Sequence, residues 1–501
     1  LFLPFEILSG VLQGCPLSGT LFSLVIDPLL WALKAKLSST IVRTCADDIG
    51  MASRRLEELC LVYKIFSDFE QATNLHLKPS KSIIIPTVFK LSNWNLDMLR
   101  AWLRRNVPKW VDLVVRSSSK YLGFFLGPTS GGSQWIAPAK KYADRVIGIK
   151  DLKLPLRLAV AKHNYYALPV LGYVAQLALP PPKIFRFELS AILKALGFAG
   201  NSMSCETAFT LGDLVGFSPT RPSVYLESCM IRSAFKTFKG FQDMHHALAG
   251  KARESSNLHI AYKEIKPPGW DSPAFCSNLF HASHFSDLRH GSLCKVSLAK
   301  AIYEWRSNSR AKFSLQKSIH SCINNVIISR NAWVPFINCK LGVLGASSGP
   351  GDNLLTGDMW SDLCHVIRKS PSQVSTCFLK TVINSWYTSH RLGEVPLLPC
   401  IFGCEDKEDN LKHYLTCESL WTLAVSACGL PPSFLSLSPL DRLCIANKSV
   451  PGLKLLSVVF RGYHALKLGQ RGLIDSCIAS SDFDEILLLF VRVCREYWSF
   501  H

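Results

Sequence analysis

Two adjacent carboxylates, Asp47 and Asp48, stand between the short apolar runs Ile41-Val42-Arg43-Thr44-Cys45 and Ile49-Gly50-Met51-Ala52. Like charges this close repel unless a positive charge sits between them, and a divalent cation is the usual answer. Two β-like runs around the pair put it at the tip of a hairpin. Hard oxygen ligands on a tight turn suit Mg²⁺, which keeps several waters and takes phosphate oxygens as further ligands. An Asp-Asp dipeptide alone is far more often a solvated turn, so the chemistry depends on what surrounds it.

A second constellation lies further along. Cys400, Cys404, His413 and Cys417 follow a C-x3-C-x8-H-x3-C spacing. Three thiolates and one imidazole can close a tetrahedral Zn²⁺ site. The chain has eighteen cysteines, so four scattered Cys/His residues remain the alternative reading. Scattered spacing in a long chain argues for free or metal-binding thiols in a reducing compartment, not for a disulfide framework.

The elements that must position the acids can be read on either side of them. Residues 10–20 form a loop rich in Gly, Pro and Ser, and an apolar helix over 21–37 follows, with Pro28 expected to kink or restart it. After the hairpin, Leu56, Leu59, Cys60, Tyr63 and Phe66 share one face of a helix that packs behind the strands. Residues 78–120 hold nine cations (Lys78, Lys81, Lys90, Arg100, Arg104, Arg105, Lys109, Arg116 and Lys120) against Asp97 and Asp112. Trp94, Trp102 and Trp110 interleave with them, as stacking surfaces for bases or as core residues. The Gly/Ser-rich run 342–353 lacks a closing Gly-Lys-Ser/Thr and reads as a surface loop; His245-His246 reads as a surface pair.

Composition is consistent with a polyanionic partner. The 501 residues are 48% hydrophobic, enough for more than one core, and carry 56 basic against 37 acidic side chains, a net charge of +19. The apolar stretches are short or broken by Asp27, Pro28 and Pro169, so no membrane span is expected, and no secretory signal is legible.

Four motifs run in order between residues 10 and 123. They are Gly10-Val11-Leu12-Gln13-Gly14-Cys15-Pro16-Leu17-Ser18-Gly19-Thr20-Leu21-Phe22, Ala46-Asp47-Asp48, Leu77-Lys78-Pro79-Ser80-Lys81-Ser82, and Tyr121-Leu122-Gly123. Together they resemble the reverse transcriptases of non-LTR (LINE-type) retrotransposons. The stretch Leu168-Pro169-Val170-Leu171-Gly172-Tyr173-Val174-Ala175-Gln176 and the Cys/His spacing resemble segments that follow the polymerase in such elements. The resemblance implies an α+β fold: a partial polymerase palm over 1–130, an antiparallel sheet with packed helices. A mostly helical thumb and connector over 131–395 would follow, then a small zinc-binding segment over 396–420 and a helical tail over 421–501.

It also implies RNA-directed DNA polymerase activity in which three carboxylates hold two Mg²⁺ ions. Asp47 matches the metal-binding carboxylate and Asp48 its neighbour in a lesser role. Lys81 matches the lysine facing the departing pyrophosphate. Gln13, Gly14, Pro16 and Ser18 fall in the element against nucleotide and template, and Leu122 and Gly123 in the turn that holds the primer end. The implied partners are an RNA template, a DNA primer and deoxynucleotides, and the implied location is the nucleus. Cys45 stands where the family carries an aromatic residue, Cys15 where it carries an acid, and the first cysteine pair has one extra residue between its members. The third carboxylate belongs on an upstream strand with the fingers, whereas only nine residues precede Gly10 and Glu6 is their sole acid. With Leu1 first in place of Met, the expectation is a chain cut inside a domain and inactive alone. The alternative is a decayed or domesticated remnant that only binds nucleic acid.

Overall fold

The computed structural model describes residues 16–130, 133–178, 180–200, 202–237, 315–327, 332–344, 355–446 and 449–499. Gln13, Gly14, the His245-His246 pair and most of the 342–353 run lie outside the described residues. The chain divides into two compact units, Leu1–Ala137 and Pro138–His501.

In the first unit, helix α1 (Ser18–Lys36) runs through Pro28, which gives up one backbone hydrogen bond without ending it. Leu29 and Leu33, with Leu37 just past its end, recur every four residues and form its buried stripe. Strands β1 (Ile41–Cys45) and β2 (Asp48–Ala52) pair antiparallel, and helix α2 (Glu58–Thr73) follows. The buried face of α2 centres on Val62 and Ile65, one position round from the stripe read in the sequence; Leu59, Tyr63 and Phe66 flank it and Leu56 is exposed.

Beyond α2, β3 (Ile83–Ile84) and β4 (Val114–Val115) pair in parallel, and β5 (Ser119–Tyr121) and β6 (Phe124–Leu126) pair antiparallel. The expected antiparallel sheet is therefore three separate two-stranded pieces, one of them parallel. The reason is the chain between β3 and β4, which carries helix α3 (Asn93–Asn106), a crossover of the kind parallel neighbours require. Leu99 and Leu103 of α3 meet the α1 and α2 stripes, and Trp110 closes the core edge-on to Tyr63 (5.1 Å) and Phe66 (5.6 Å). Trp102 packs against this core, while Trp94 is 70% exposed.

The described part of the second unit is helical. Helices α4 (Ile136–Asp151), α5 (Leu156–Lys162) and α6 (Pro169–Ala175) lead it, with a π-helical turn, His163–Ala167, between the last two. Later come α7 (Ser372–Val382), α8 (Leu411–Tyr414), α9 (Glu418–Ala427), α10 (Val450–Gly469) and α11 (Asp484–Ser499). Leu453, Leu456, Val458, Val459, Tyr463 and Leu466 bury α10 on nearly every side, with α7 and α11 packed against it. Among the described residues, no helix is long and apolar enough to cross a membrane.

Candidate functional sites: an acidic hairpin and a cysteine–histidine cluster

The hairpin register pairs Cys45 with Asp48, leaving Ala46 and Asp47 as a two-residue turn. Ala46 takes φ +53° while Asp47 does not enter the positive-φ region, the sign pattern of a type II′ connection, in which the first position normally goes to glycine. An alanine there is strained by about 1–3 kcal/mol. Asp47 at the tip and Asp48 at the start of β2 are both exposed. Two neighbouring hard-oxygen donors turned to solvent fit a divalent cation in kind.

Two groups hold this hairpin in place: Glu58, which no sequence pattern marks, and Tyr121, the first residue of the Tyr-Leu-Gly element. Glu58, first residue of α2, accepts hydrogen bonds from the Ser39 and Thr40 hydroxyls, just before β1, and from Ser53, just after β2, at 2.6 Å. One carboxylate thus ties both feet of the hairpin to a helix end. The Ser39 hydroxyl first, then those of Ser53 and Thr40, hold its pKa down at about 2, below the ordinary 4.5. A carboxylate depressed in this way contributes stability above the unfolded pKa and loses it as pH falls towards 2. Glu58→Gln should therefore lower the melting temperature at pH 7, and the gap from the parent should close between pH 4.5 and 2. A gap independent of pH would show that the charge plays no part.

Tyr121 is the second group. Its hydroxyl lies 3.5 Å from the carbonyl oxygens of both Arg43 and Asp48, bridging the two strands. A Cβ at Gly50 would come within 2.8 Å of the Tyr121 ring, so the close approach of ring to strand requires glycine. Burial, with the Asp48 charge adding to it, pushes the Tyr121 pKa up and keeps the hydroxyl a donor. Leu122 and Gly123, the next residues, form the β5–β6 turn with φ +47° and +87°, the signs of a type I′ hairpin. The Tyr-Leu-Gly element therefore leans on the acidic hairpin through its tyrosine.

The other sequence-predicted residues fall around this centre. Lys81 is exposed at the end of the 3-10 turn Pro79–Lys81, which leads into β3. Among the described residues, no ion pair joins Lys81 to Asp47 or Asp48. Pro16 is exposed just before α1 and Ser18 opens it.

In the second unit, one donor atom from each of Cys400, Cys404, His413 and Cys417 lies within 4.8 Å of all the others. Cys404 Sγ is 3.5 Å from Cys417 Sγ, close to the roughly 3.7 Å edge that 2.3 Å zinc–sulfur bonds give a tetrahedron. Asn410 caps α8 by accepting the His413 N–H at 2.7 Å, which fixes the turn that carries the imidazole. The His413 Nε2 is buried and has no hydrogen-bond partner among the described residues. The Cys417 thiol, helped by the backbone N–H groups of Phe402 and Cys404, draws the Cys400 pKa well down, while the same contact pushes Cys417 up. An orphaned imidazole nitrogen beside a stabilised thiolate is the donor set of a tetrahedral metal ion, and the residues fit Zn²⁺.

Asp409 connects this cluster to the helical core. Its carboxylate, fully buried, accepts from Tyr414 Oη (2.7 Å), Tyr463 Oη (2.8 Å), the Ser389 N–H (2.8 Å) and Lys467 Nζ (2.6 Å). Tyr414 follows His413 of the cluster directly, so the hub sets the cluster's seat on α10. Phe402, between the first two cysteines, meets Phe490 of α11 at 4.9 Å. The segment shares the core of the second unit and has none of its own.

Residues 4–126 match the family model described as reverse transcriptase (RNA-dependent DNA polymerase). The matched stretch contains Asp47, Asp48, Lys81 and the Tyr-Leu-Gly turn and ends at the last residue of β6; the cysteine–histidine cluster lies beyond it. A search of curated proteins gives no match.

Proposed function

We propose that the first unit is the nucleotidyl-transfer part of an RNA-directed DNA polymerase from a non-LTR retroelement. One observation carries this reading: two adjacent carboxylates at a two-residue hairpin tip, within the segment similar to reverse transcriptases. Asp47 is the metal ligand and Asp48 orients it. Lys81 faces the pyrophosphate, Gln13, Gly14, Pro16 and Ser18 lie against nucleotide and template, and Leu122 and Gly123 hold the primer end. Bound Mg²⁺ would supply charge for the attacking and leaving oxygens. The donors fit that ion in kind but not in number: among the described residues no third acid groups with Asp47 and Asp48, and the family's site takes three. Residues 1–501 alone are therefore proposed to hold nucleic acid without extending a primer. Primer extension with and without Asp47 tests the reading.

The template and primer have a ready surface. All nine cations of residues 78–120 are exposed, and none is in an ion pair among the described residues. Binding should be carried by phosphates, with little preference among sequences. If five of the nine engage a single strand, affinity should fall as roughly the 3.5 power of salt concentration. Fluorescence anisotropy across a salt series checks this, and an affinity indifferent to salt would remove the assignment. In the second unit the cysteine–histidine cluster is proposed to hold one Zn²⁺ in a structural role.

A further inference from the structure

The π-helical turn His163–Ala167 interrupts two α-helices, and turns of this kind are rare and concentrate at functional sites. It is locked from beneath. The buried His163 meets Tyr142 Oη at 3.0 Å through Nε2 and Asn164 Oδ1 at 3.1 Å through Nδ1. Asn164 in turn donates to the Ser218 carbonyl at 3.0 Å and accepts the Thr220 N–H at 2.7 Å. Burial lowers the His163 pKa to about 4, so the anchor is neutral at physiological pH. What the locked turn pushes outward is a pair of tyrosines, Tyr165 at 85% exposure and Tyr166 at 47%. The Tyr165 side chain makes no hydrogen bond or ring contact among the described residues.

Cations are held against the second of the pair, Tyr166. The Arg145 guanidinium sits 4.1 Å from the centre of the Tyr166 ring and also donates to the Tyr166 carbonyl oxygen, and Lys162 Nζ lies 5.9 Å from the same ring. Lys141, one helical turn before Arg145, is exposed on the same side of α4. Between residues 136 and 176 the chain carries seven Lys or Arg against Asp144 and Asp151. Two solvent-facing rings on an anchored turn, with positive charge beside one of them, form a surface for a polyanion that also offers flat π-faces. Duplex bases are already stacked on one another; unpaired bases are not. We propose that Tyr165 and Tyr166, flanked by Lys141, Arg145 and Lys162, are a stacking site for single-stranded nucleic acid. The site lies beyond the segment similar to reverse transcriptases and needs no polymerase chemistry, so it stands whether or not the first unit transfers nucleotides.

The test uses the full 501-residue chain and a twelve-nucleotide oligothymidylate, once with fluorescein and once with 5-iodouracil for photocrosslinking. Crosslinks should map to the peptide containing Tyr165 and Tyr166. Tyr165→Ala should weaken the strand by about fivefold to a hundredfold, the range for losing one stacked base. Tyr165→Phe should retain affinity, and Lys162→Ala should instead flatten the salt dependence by about 0.7 in the log–log slope. Because the Tyr165 side chain is 85% exposed and makes no hydrogen bond or ring contact among the described residues, Tyr165→Ala should melt with the parent. The proposal is overturned if crosslinks map only to residues 78–120, if Tyr165→Ala binds as tightly as the parent, or if a twelve-base-pair duplex shows the same loss.

Discussion

Cys417→Ser is expected to release the metal from the second unit and to lower its melting temperature by about 5–10 °C. Purified parent chain should carry one zinc per molecule by elemental analysis, and the variant less than a tenth of that. The size follows from linkage: a ligand present at a thousand times its dissociation constant stabilises the folded state by about 4 kcal/mol. In a unit of this size each kcal/mol moves the midpoint by roughly 2 °C. The loss should spread beyond the cluster, because Phe402 packs on α11 and Tyr414 meets Tyr463 of α10 at 5.0 Å. A chelator should reproduce the shift in the parent and do nothing further to the variant. Acid should release the metal as well, since thiolates and imidazole must be deprotonated to bind. Cys444→Ser, at a buried cysteine outside the cluster, should keep its zinc. Equal zinc in parent and Cys417→Ser, or none in either, would remove this ligand set.

The two halves of the molecule differed in how much their sequence disclosed. The acidic hairpin was legible because two apolar runs flank a pair of acids, and pairing then follows from the strand period. The positive φ at Ala46 was not, since alanine carries no signal for that conformation. The four metal-type residues could be gathered by spacing alone, and the structure brings them together. What holds both sites could not be read this way. Glu58 reaches hydroxyls 18 and 19 positions upstream, and Asp409 meets Lys467 58 positions away, so no local pattern marks either. The single antiparallel sheet failed for a related reason. Two-residue strands such as Ile83–Ile84 are too short to show a period, and only the crossover through α3 makes their pairing parallel. Interior acids are satisfied by tertiary contacts, which sequence windows do not contain. Asp409 shows the scale: removing it would leave the buried Lys467 only its longer contact with Glu394 at 3.8 Å, a loss of up to about 3–5 kcal/mol.

Asp47→Ala is expected to abolish primer extension, by at least about 10³-fold, in a product that joins residues 1–501 to an upstream strand supplying the third carboxylate. Loss of one preorganised charge at a developing oxyanion costs orders of magnitude in rate, and here it also loosens the metal itself. Asp48→Asn should cost less, because Asp48 sits in the β2 ladder opposite Cys45 while Asp47 occupies the free tip of the turn. Salt-dependent binding to the template–primer should survive both changes, since the nine exposed cations of residues 78–120 are untouched. A polypeptide of residues 1–501 alone should bind the same template–primer and yield no extension above background in Mg²⁺. Under the proposed function, the two carboxylates grouped among the described residues hold too little charge for two Mg²⁺ ions. Robust extension by residues 1–501 would defeat this account and require a third carboxylate within them; Glu6, the one acid upstream of the Gln13-Gly14 element, would be the first to replace.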